Sequence, residues 1–413
     1  MKKTIPFLFF IATLTLYSQN AKDTDTKNKL AGPNQVDNQL SEDREVKASF
    51  FELGFLDNYF TAKSKLKEKS GFDFGIDYSS VYFSANESLG ETNSGAGMVR
   101  LYGSWELVNR GKKNNGAFIY KVEHRHKYTD ITPKNFGFEM GYVGMQVPAF
   151  NEDEFRMTNF YWRQRLYDGK LSFVAGLLDA TDYVDVYALA SPWTGFMNFQ
   201  FSTGSQSIYI PNDAALGLAV GAYLSDKIYT IASISDAGAN PTKPFQSFET
   251  FFSNNDYFKS IELGYVTSSN RFFQDNIHIT YWHSDGSDVT ASLPGWGVAF
   301  SATHHFGNNL HPFIRGGYAK DGGTLLQKSL VIGTGYSTPK NQNTIGFAVG
   351  WGEVNETSFG TGLDDQITAE LFYKINLSKR IVFTPDLQYL INPALNPNSS
   401  SIFIWGIRAR IAI

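Results

Sequence analysis

The sequence predicts an all-β fold: a transmembrane outer-membrane β-barrel of about 16 antiparallel strands, with a short N-terminal helical and linker segment before it. Three observations carry this. Segments with strand-like spacing alternate apolar and polar side chains, as strand geometry places neighbours on opposite faces. Short connections alternate with long ones, as expected when only one rim of a barrel faces outward. The composition also hides its apolar surface: 42% of residues are hydrophobic and 15% aromatic, with 35 Phe, 22 Tyr and 37 Gly, yet the mean hydropathy is only -0.25. Because every second strand residue points to lipid and the others to water, such an average is normal for a barrel.

The first residues have the zones of a secretory signal peptide, predicted over 1–19. Met1, Lys2 and Lys3 precede an apolar run over 5–16, followed by Tyr17, Ser18 and Gln19. That run is shorter than the roughly 20 apolar residues of a helical span. Residues 20–69 read as a periplasmic linker and a short helix. The part over 20–47 is polar, lacks aromatics and breaks at Gly32-Pro33, and is expected to be disordered. Over 50–69, Phe51, Leu53, Phe55, Leu56, Tyr59 and Phe60 give way to Lys63, Lys65, Lys67 and Glu68, which predicts a lead-in helix at the periplasmic mouth or folded toward the lumen.

The barrel is predicted over 70–413, with strands beginning at Phe72. Phe72, Phe74, Ile76 and Tyr78 oppose Asp73, Gly75, Asp77 and Ser79. The next strands set Val99, Leu101, Trp105 and Leu107 against Arg100, Tyr102 and Glu106, then Tyr120, Val122 and His124 against Lys121, Glu123 and Arg125. Phe160, Trp162 and Leu166 then oppose Tyr161, Arg163 and Arg165, and a strand over 171–177 returns after the turn at 167–170. Further strands are expected over 215–224, 228–233, 258–266, 277–283, 296–304, 311–318, 329–336 and 345–351. In the last three, Ile367, Leu371 and Tyr373 oppose Thr368, Glu370 and Lys374, Leu387 and Tyr389 oppose Asp386 and Gln388, and Trp405, Ile407 and Ile411 oppose Arg408 and Arg410. The long connections are expected over 84–96, 127–158, 179–213, 236–256, 284–294, 355–365 and 391–400.

The remaining composition excludes several classes. A net charge of -4 without a basic tract argues against nucleic acid. The absence of cysteine removes disulfides, thiolate metal sites and a cysteine nucleophile. The 7 histidines lack metal-ligand spacing, and Ser284-Asp285 after His283 sits at a strand-loop junction rich in turn residues. No enzyme, cofactor or metal is therefore expected.

Function is expected in two places. The inward row of Arg100, Lys121, Glu123, Arg125, Arg163 and Arg165, with Glu370, Asp386, Gln388 and Arg408 on the closing strands, supplies pore-lining, substrate-binding side chains. Rings of charge govern passage through a wet pore, and the mixture of signs suits neutral polyols better than anions. The loop over 179–213 carries Asp179, Asp182, Tyr183, Trp193 and Phe196. A connection of about 35 residues that is this aromatic is expected to be functional, as a constriction loop offering ring faces to sugars. The plainer alternative is that these rings only pack the loop onto the wall.

Several motifs resemble the carbohydrate-selective porins of the OprB family. They are Glu370-Leu371-Phe372-Tyr373-Lys374, Thr384-Pro385-Asp386-Leu387-Gln388-Tyr389, Asn392-Pro393 and Gly406-Ile407-Arg408 near the end of the chain. Trp162-Arg163-Gln164, Asp168-Gly169-Lys170-Leu171, Ala175-Gly176-Leu177-Leu178-Asp179 and Phe196-Met197-Asn198 in the middle are similar to the same family. Ile413 departs from the aromatic last residue common among outer-membrane barrels. The resemblance implies a sixteen-stranded barrel in the outer membrane that passes mono- or small oligosaccharides by passive diffusion. Its expected partners are small carbohydrate solutes, outer-membrane lipid and lipopolysaccharide; association into a homo-oligomer is left open. The alternative readings are an anion- or phosphate-preferring porin and a general diffusion porin.

Overall fold

The structure, a computed structural model, describes residues 30–45, 50–151, 154–307 and 309–413. The expected signal peptide lies outside the described residues. The strands are β1 (Phe72–Ala85), β2 (Asn93–Val108), β3 (Gly116–Lys127), β4 (Glu154–Leu166), β5 (Leu171–Leu178), β6 (Ala215–Tyr223), β7 (Ile228–Asp236) and β8 (Tyr257–Val266). They continue as β9 (Asn276–Ser284), β10 (Gly295–Thr303), β11 (Leu310–Asp321), β12 (Leu326–Ser337), β13 (Thr344–Val354), β14 (Gln366–Asn376), β15 (Ile381–Ile391) and β16 (Ser401–Ala412). Each strand pairs with its sequence neighbours, and β1 pairs with β16, which closes the barrel.

The predicted faces explain the closure. On β16, Phe403, Trp405, Ile407 and Ile411 are exposed on the outside while Ile402, Ile404, Arg408 and Arg410 are buried inside. The same alternation runs through β8 and β9, where Ile261, Leu263, Ile277 and Ile279 point outward and Glu262, His278 and Thr280 inward. Every backbone group in lipid must find a partner within the protein, and a closed antiparallel sheet leaves no open edge. No helix among the described residues is long and apolar enough to cross a membrane.

The connections differ in detail from the expectation. The first hairpin runs further than read, because Ser84 pairs with Asn93 and the loop shrinks to 86–92. The connection between β3 and β4 contains helix α3 and packs Phe136, Met140, Tyr142 and Phe150 against Phe83, Met98 and Ile404 inside the barrel; α3 spans Pro133–Glu139.

Among the described residues two α-helices precede the barrel, α1 (Val36–Glu42) and α2 (Asp57–Ser70). Helix α2 ends at Gly71, whose φ of 75° is the left-handed C-cap that glycine favours. It lies at the rim that carries the short turns: Lys63 Nζ donates to the Ile413 carbonyl at 3.2 Å, and the Arg380 guanidinium stacks 3.5 Å from the Phe60 ring. The expected disordered linker is corrected over residues 30–45. That stretch is ordered and enters the lumen, where Val36, Asn38, Gln39 and Leu40 are buried. Its polarity misled the reading, since a chain segment inside a polar barrel is as hydrophilic as one in water.

Candidate functional site

Three stretches pack inside the barrel: residues 30–45, the β3–β4 connection and the loop over 179–213. The loop over 179–213 folds inward between β5 and β6 and is tied to the strands across from it. Asp185 accepts from His278 at 2.8 Å and from the Gly204 N–H at 2.7 Å, and forms an ion pair with Arg315. Arg315 also donates to the Asp185 carbonyl at 2.9 Å, and its guanidinium lies 3.9 Å from the Tyr187 ring. Met197 and Asn198 donate their backbone N–H groups to the two carboxylate oxygens of Glu370, at 2.6 and 2.8 Å. Arg408 donates to the carbonyls of Pro192 and Gly195 at 2.8 and 2.9 Å. A loop held by so many buried donors and acceptors is fixed, because releasing any of them leaves a partner unsatisfied in a low-dielectric interior.

This placement sorts the residues expected from the sequence. Arg100, Glu370, Asp386, Gln388 and Arg408 point inward as read, but the loop covers them. Arg100 pairs with Asp77 and sits 3.7 Å from the Trp193 ring, and Gln388 bridges Asp386 to Gln146 at 2.9 Å on each side. They anchor the loop; the expectation that they face open water is corrected. Phe196 packs among Phe201, Phe313 and Phe372 at 5.2, 5.8 and 4.9 Å between ring centroids, the plainer of the two roles weighed for it. Tyr183 is likewise buried, with Leu178, Ala219 and Ile231 in the same apolar cluster.

Lys121, Glu123, Arg125, Asp179 and Trp193 do come together. They line a cavity of about 260 Å³ on the side of the long loops, together with Asn34, Arg156, Asn212 and Asp213. Its charges are matched across the wall. Lys121 Nζ lies 3.6 Å from Asp179, and Arg125 donates to Glu123 at 2.8 and 2.6 Å and to Asp213 at 3.1 Å. Asp182 lies just behind, accepting from Asn159 at 3.1 Å; burial, offset in part by Lys121, pushes its carboxyl up to about 8.

A second cavity of about 510 Å³ opens on the side of the short turns. Arg44, Lys67, Asp73, Glu106, Arg110 and Arg165 line it, with Asp37 and Leu40 of the N-terminal segment. Arg163 and Arg165 therefore meet this segment: Asp37 lies 3.2 Å from Arg163 Nη1 and 3.3 Å from Arg165 Nη2.

Sequence reading missed Arg315, His278, Asp77, Arg410, Asp37 and Asp43. The first four sit on inward rows that alternation marks, but alternation gives a face and not a partner. Asp37 and Asp43 carried no signal within a polar stretch. His124 and His126 lie on the outer wall, where His126 is 3.0 Å from the Tyr78 hydroxyl. No group of three His, Cys, Asp or Glu among the described residues is placed to hold a metal ion.

Comparison with known proteins agrees with this architecture. Porin AaxA of Chlamydia felis is 31% identical over 123 residues, which cover 29% of this chain and 27% of that protein. Porin AaxA of Chlamydia abortus is 30% identical over a stretch of the same length. The chain thus matches only about a quarter of the length of these curated relatives, 27% in each case. The high-pH structure of Pseudomonas putida OprB superposes with a TM-score of 0.67 at 15% identity, over 89% of this chain and 99% of that one. A triple mutant of the Rhodopseudomonas blastica porin gives 0.50 at 10% identity, over 83% of this chain and 100% of that one. At such identities the superpositions establish the fold. Residues 295–412, from β10 to the last strand, match the family model described as carbohydrate-selective porin, OprB family. The chain is a closed sixteen-stranded antiparallel barrel with the fold of solved porins, and its closing strands match the OprB carbohydrate-selective porin family model.

Proposed function

We propose that the protein is a passive diffusion channel for small neutral carbohydrates. The observation that carries this reading is the outer cavity. It combines two aromatic side chains, Trp193 and Phe199, with cations and carboxylates most of which are already paired: Lys121 with Asp179, and Arg125 with Glu123 and Asp213. A sugar offers an apolar C–H face to an aromatic ring and a rim of hydroxyls that both donate and accept. Paired charges suit such a rim, because they supply fixed donors and acceptors while presenting little net field. A strong anion filter needs cations in large excess; this cavity sets Lys121, Arg125, Lys134 and Arg156 against Glu123, Asp179 and Asp213, an excess of one. The carbohydrate-selective family pattern over 295–412 supports the same reading.

Liposome swelling tests it. Proteoliposomes should admit glucose and small oligosaccharides faster than amino acids of equal size. Entry at rates set by size alone would reduce the protein to a general diffusion porin. Bilayer currents strongly favouring chloride over potassium would instead indicate an anion channel.

A further inference from the structure

The N-terminal segment over 30–45 does more than pass through the lumen. It is tied to strands on both sides of the barrel closure. Gly32 donates its N–H to the Asp182 carbonyl at 2.7 Å, and Gln35 donates to the Tyr161 hydroxyl at 3.2 Å. Asp43 accepts from Arg410 of β16 at 2.8 and 3.1 Å. The segment also stands between the two cavities, since Asn34 faces the outer one while Asp37, Leu40 and Arg44 face the inner one.

At its centre Asp37 meets Arg163 and Arg165, one turn of pleat apart on β4 and on the same face. Two guanidinium groups share this one carboxylate. The Arg163 side chain is 1% exposed, and none of its three nitrogens has a hydrogen-bond acceptor, although Nη1 is in ion-pair range of Asp37. Glu106 also faces Arg165, but the Arg163 fork has only Asp37 in ion-pair range and no hydrogen-bond acceptor. A buried, charged fork of donors so under-partnered is an anion site that is only partly filled, and a guanidinium is built to grip a carboxylate through two parallel bonds. A wall that needed only neutrality would be served by an acidic residue of its own, as Arg100 is by Asp77 and Arg125 by Glu123. Here the acid is delivered by a chain segment from outside the barrel.

We propose that Arg163 and Arg165 form a carboxylate-binding site in the lumen, that Asp37 is its built-in ligand, and that residues 30–45 held in this way plug the channel. The plug releases when the Asp37 contact is lost, and a free carboxylate then takes the vacated fork. This goes beyond the sugar reading and does not depend on it, because ionic current reports the plug whichever solute the channel prefers.

Planar-bilayer recording in potassium chloride tests both parts with three proteins: the intact chain, Asp37→Asn, and a chain lacking 30–45. The expected result is a small conductance for the intact chain and a several-fold larger one for both variants. Equal conductance in all three, with each variant shown to be folded by its heat-dependent gel mobility, overturns the plug. Should the deletion fail to fold, Asp37→Asn decides alone, since it changes one atom type within an otherwise intact segment. For the ligand class, millimolar gluconate is added to the Asp37→Asn channel. Gluconate should reduce the chloride current, and glucose at the same concentration should leave it unchanged. Indifference to gluconate, or equal block by glucose, overturns the assignment of the fork as a carboxylate site.

Discussion

Replacing Asp185 by asparagine tests whether the inward loop is held by its buried charges or merely by packing. The wild-type carboxylate sits among three donors: the His278 ring at 2.8 Å, the Gly204 N–H at 2.7 Å and the Arg315 guanidinium. Asparagine keeps the shape but offers one acceptor oxygen and turns an N–H₂ group toward a donor, leaving Arg315 with the Asp185 backbone carbonyl at 2.9 Å as its remaining contact there. Removing one member of a buried pair typically costs about 3–5 kcal/mol. At the lower figure, about 3 kcal/mol shifts the balance between docked and undocked loop by about 150-fold. A loop undocked for a measurable share of the time widens the lumen intermittently. Single-channel records of Asp185→Asn should therefore show added open-channel noise and excursions to larger conductance, with the barrel's heat-modifiable gel transition little changed. Records indistinguishable from wild type would refute the view that this charge cluster positions the loop.

Other outcomes follow from the same geometry. Trp193→Ala removes a ring face of the outer cavity, and a loss of about 1 kcal/mol should weaken sugar-induced current block about five-fold while ionic conductance is kept or raised. Gly195→Ala places a Cβ 2.0 Å from the Leu189 carbonyl, a backbone contact that cannot yield cheaply; overpacking of about 1–3 kcal/mol should disturb the same loop and lower its protection from protease. Ile332→Arg, at an outward position of β12 that is 62% exposed, should cost about 2–4 kcal/mol of folding into vesicles, read from urea titration. Burial brings the Lys63 amine down to about 8, against the opposing pull of Asp73 and Asp43, so amine acylation at pH 8 should label it ahead of other lysines. Finally, burial would raise the Asp37 carboxyl, but Arg163 and Arg165 outweigh it and, helped by Ser104 and Gln35, hold it below its ordinary 3.8. A depressed carboxyl contributes stability above its free value and loses it as pH falls through the bound one. The segment should thus stay docked at neutral pH and release, seen as a rise in conductance, only below about pH 4.

The barrel was legible in the sequence because alternation is a local signal. Ile407 and Arg408 declare opposite faces to any reader, and the lipid on one side and water on the other make that contrast steep. Strand number and closure followed from counting such segments. What alternation could not convey was what stands in front of an inward side chain. Arg408 and Arg125 read alike, yet one grips the Pro192 and Gly195 carbonyls while the other faces a cavity. The difference lies in the aperiodic loop over 179–213, whose path is set by contacts distant in sequence. Residues 30–45 were misread for a related reason: their partners, Arg163, Arg165 and Arg410, lie far along the chain, and the few apolar residues they bury, Leu30, Val36 and Leu40, are too sparse to announce burial.

The pairing of β1 with β16 has a bearing on how the molecule is made. Asp77 lies opposite Ala412 and Ile76 exchanges backbone bonds with Ile413, so the two ends of the sheet meet only after all the strands between them are in hand. Contacts of such sequence separation are slow to form, and until then two unpaired edges are open to wrong partners. The segment over 30–45 adds an ordering constraint, because Asp37 needs β4 and Asp43 needs β16 to be in place together. Assembly therefore has a last step that is neither secretion nor membrane insertion: a newly closed cylinder must take in its own leading strand of chain. In a pulse-labelled refolding experiment, gel mobility of the closed barrel should be reached before residues 30–45 become protected from protease.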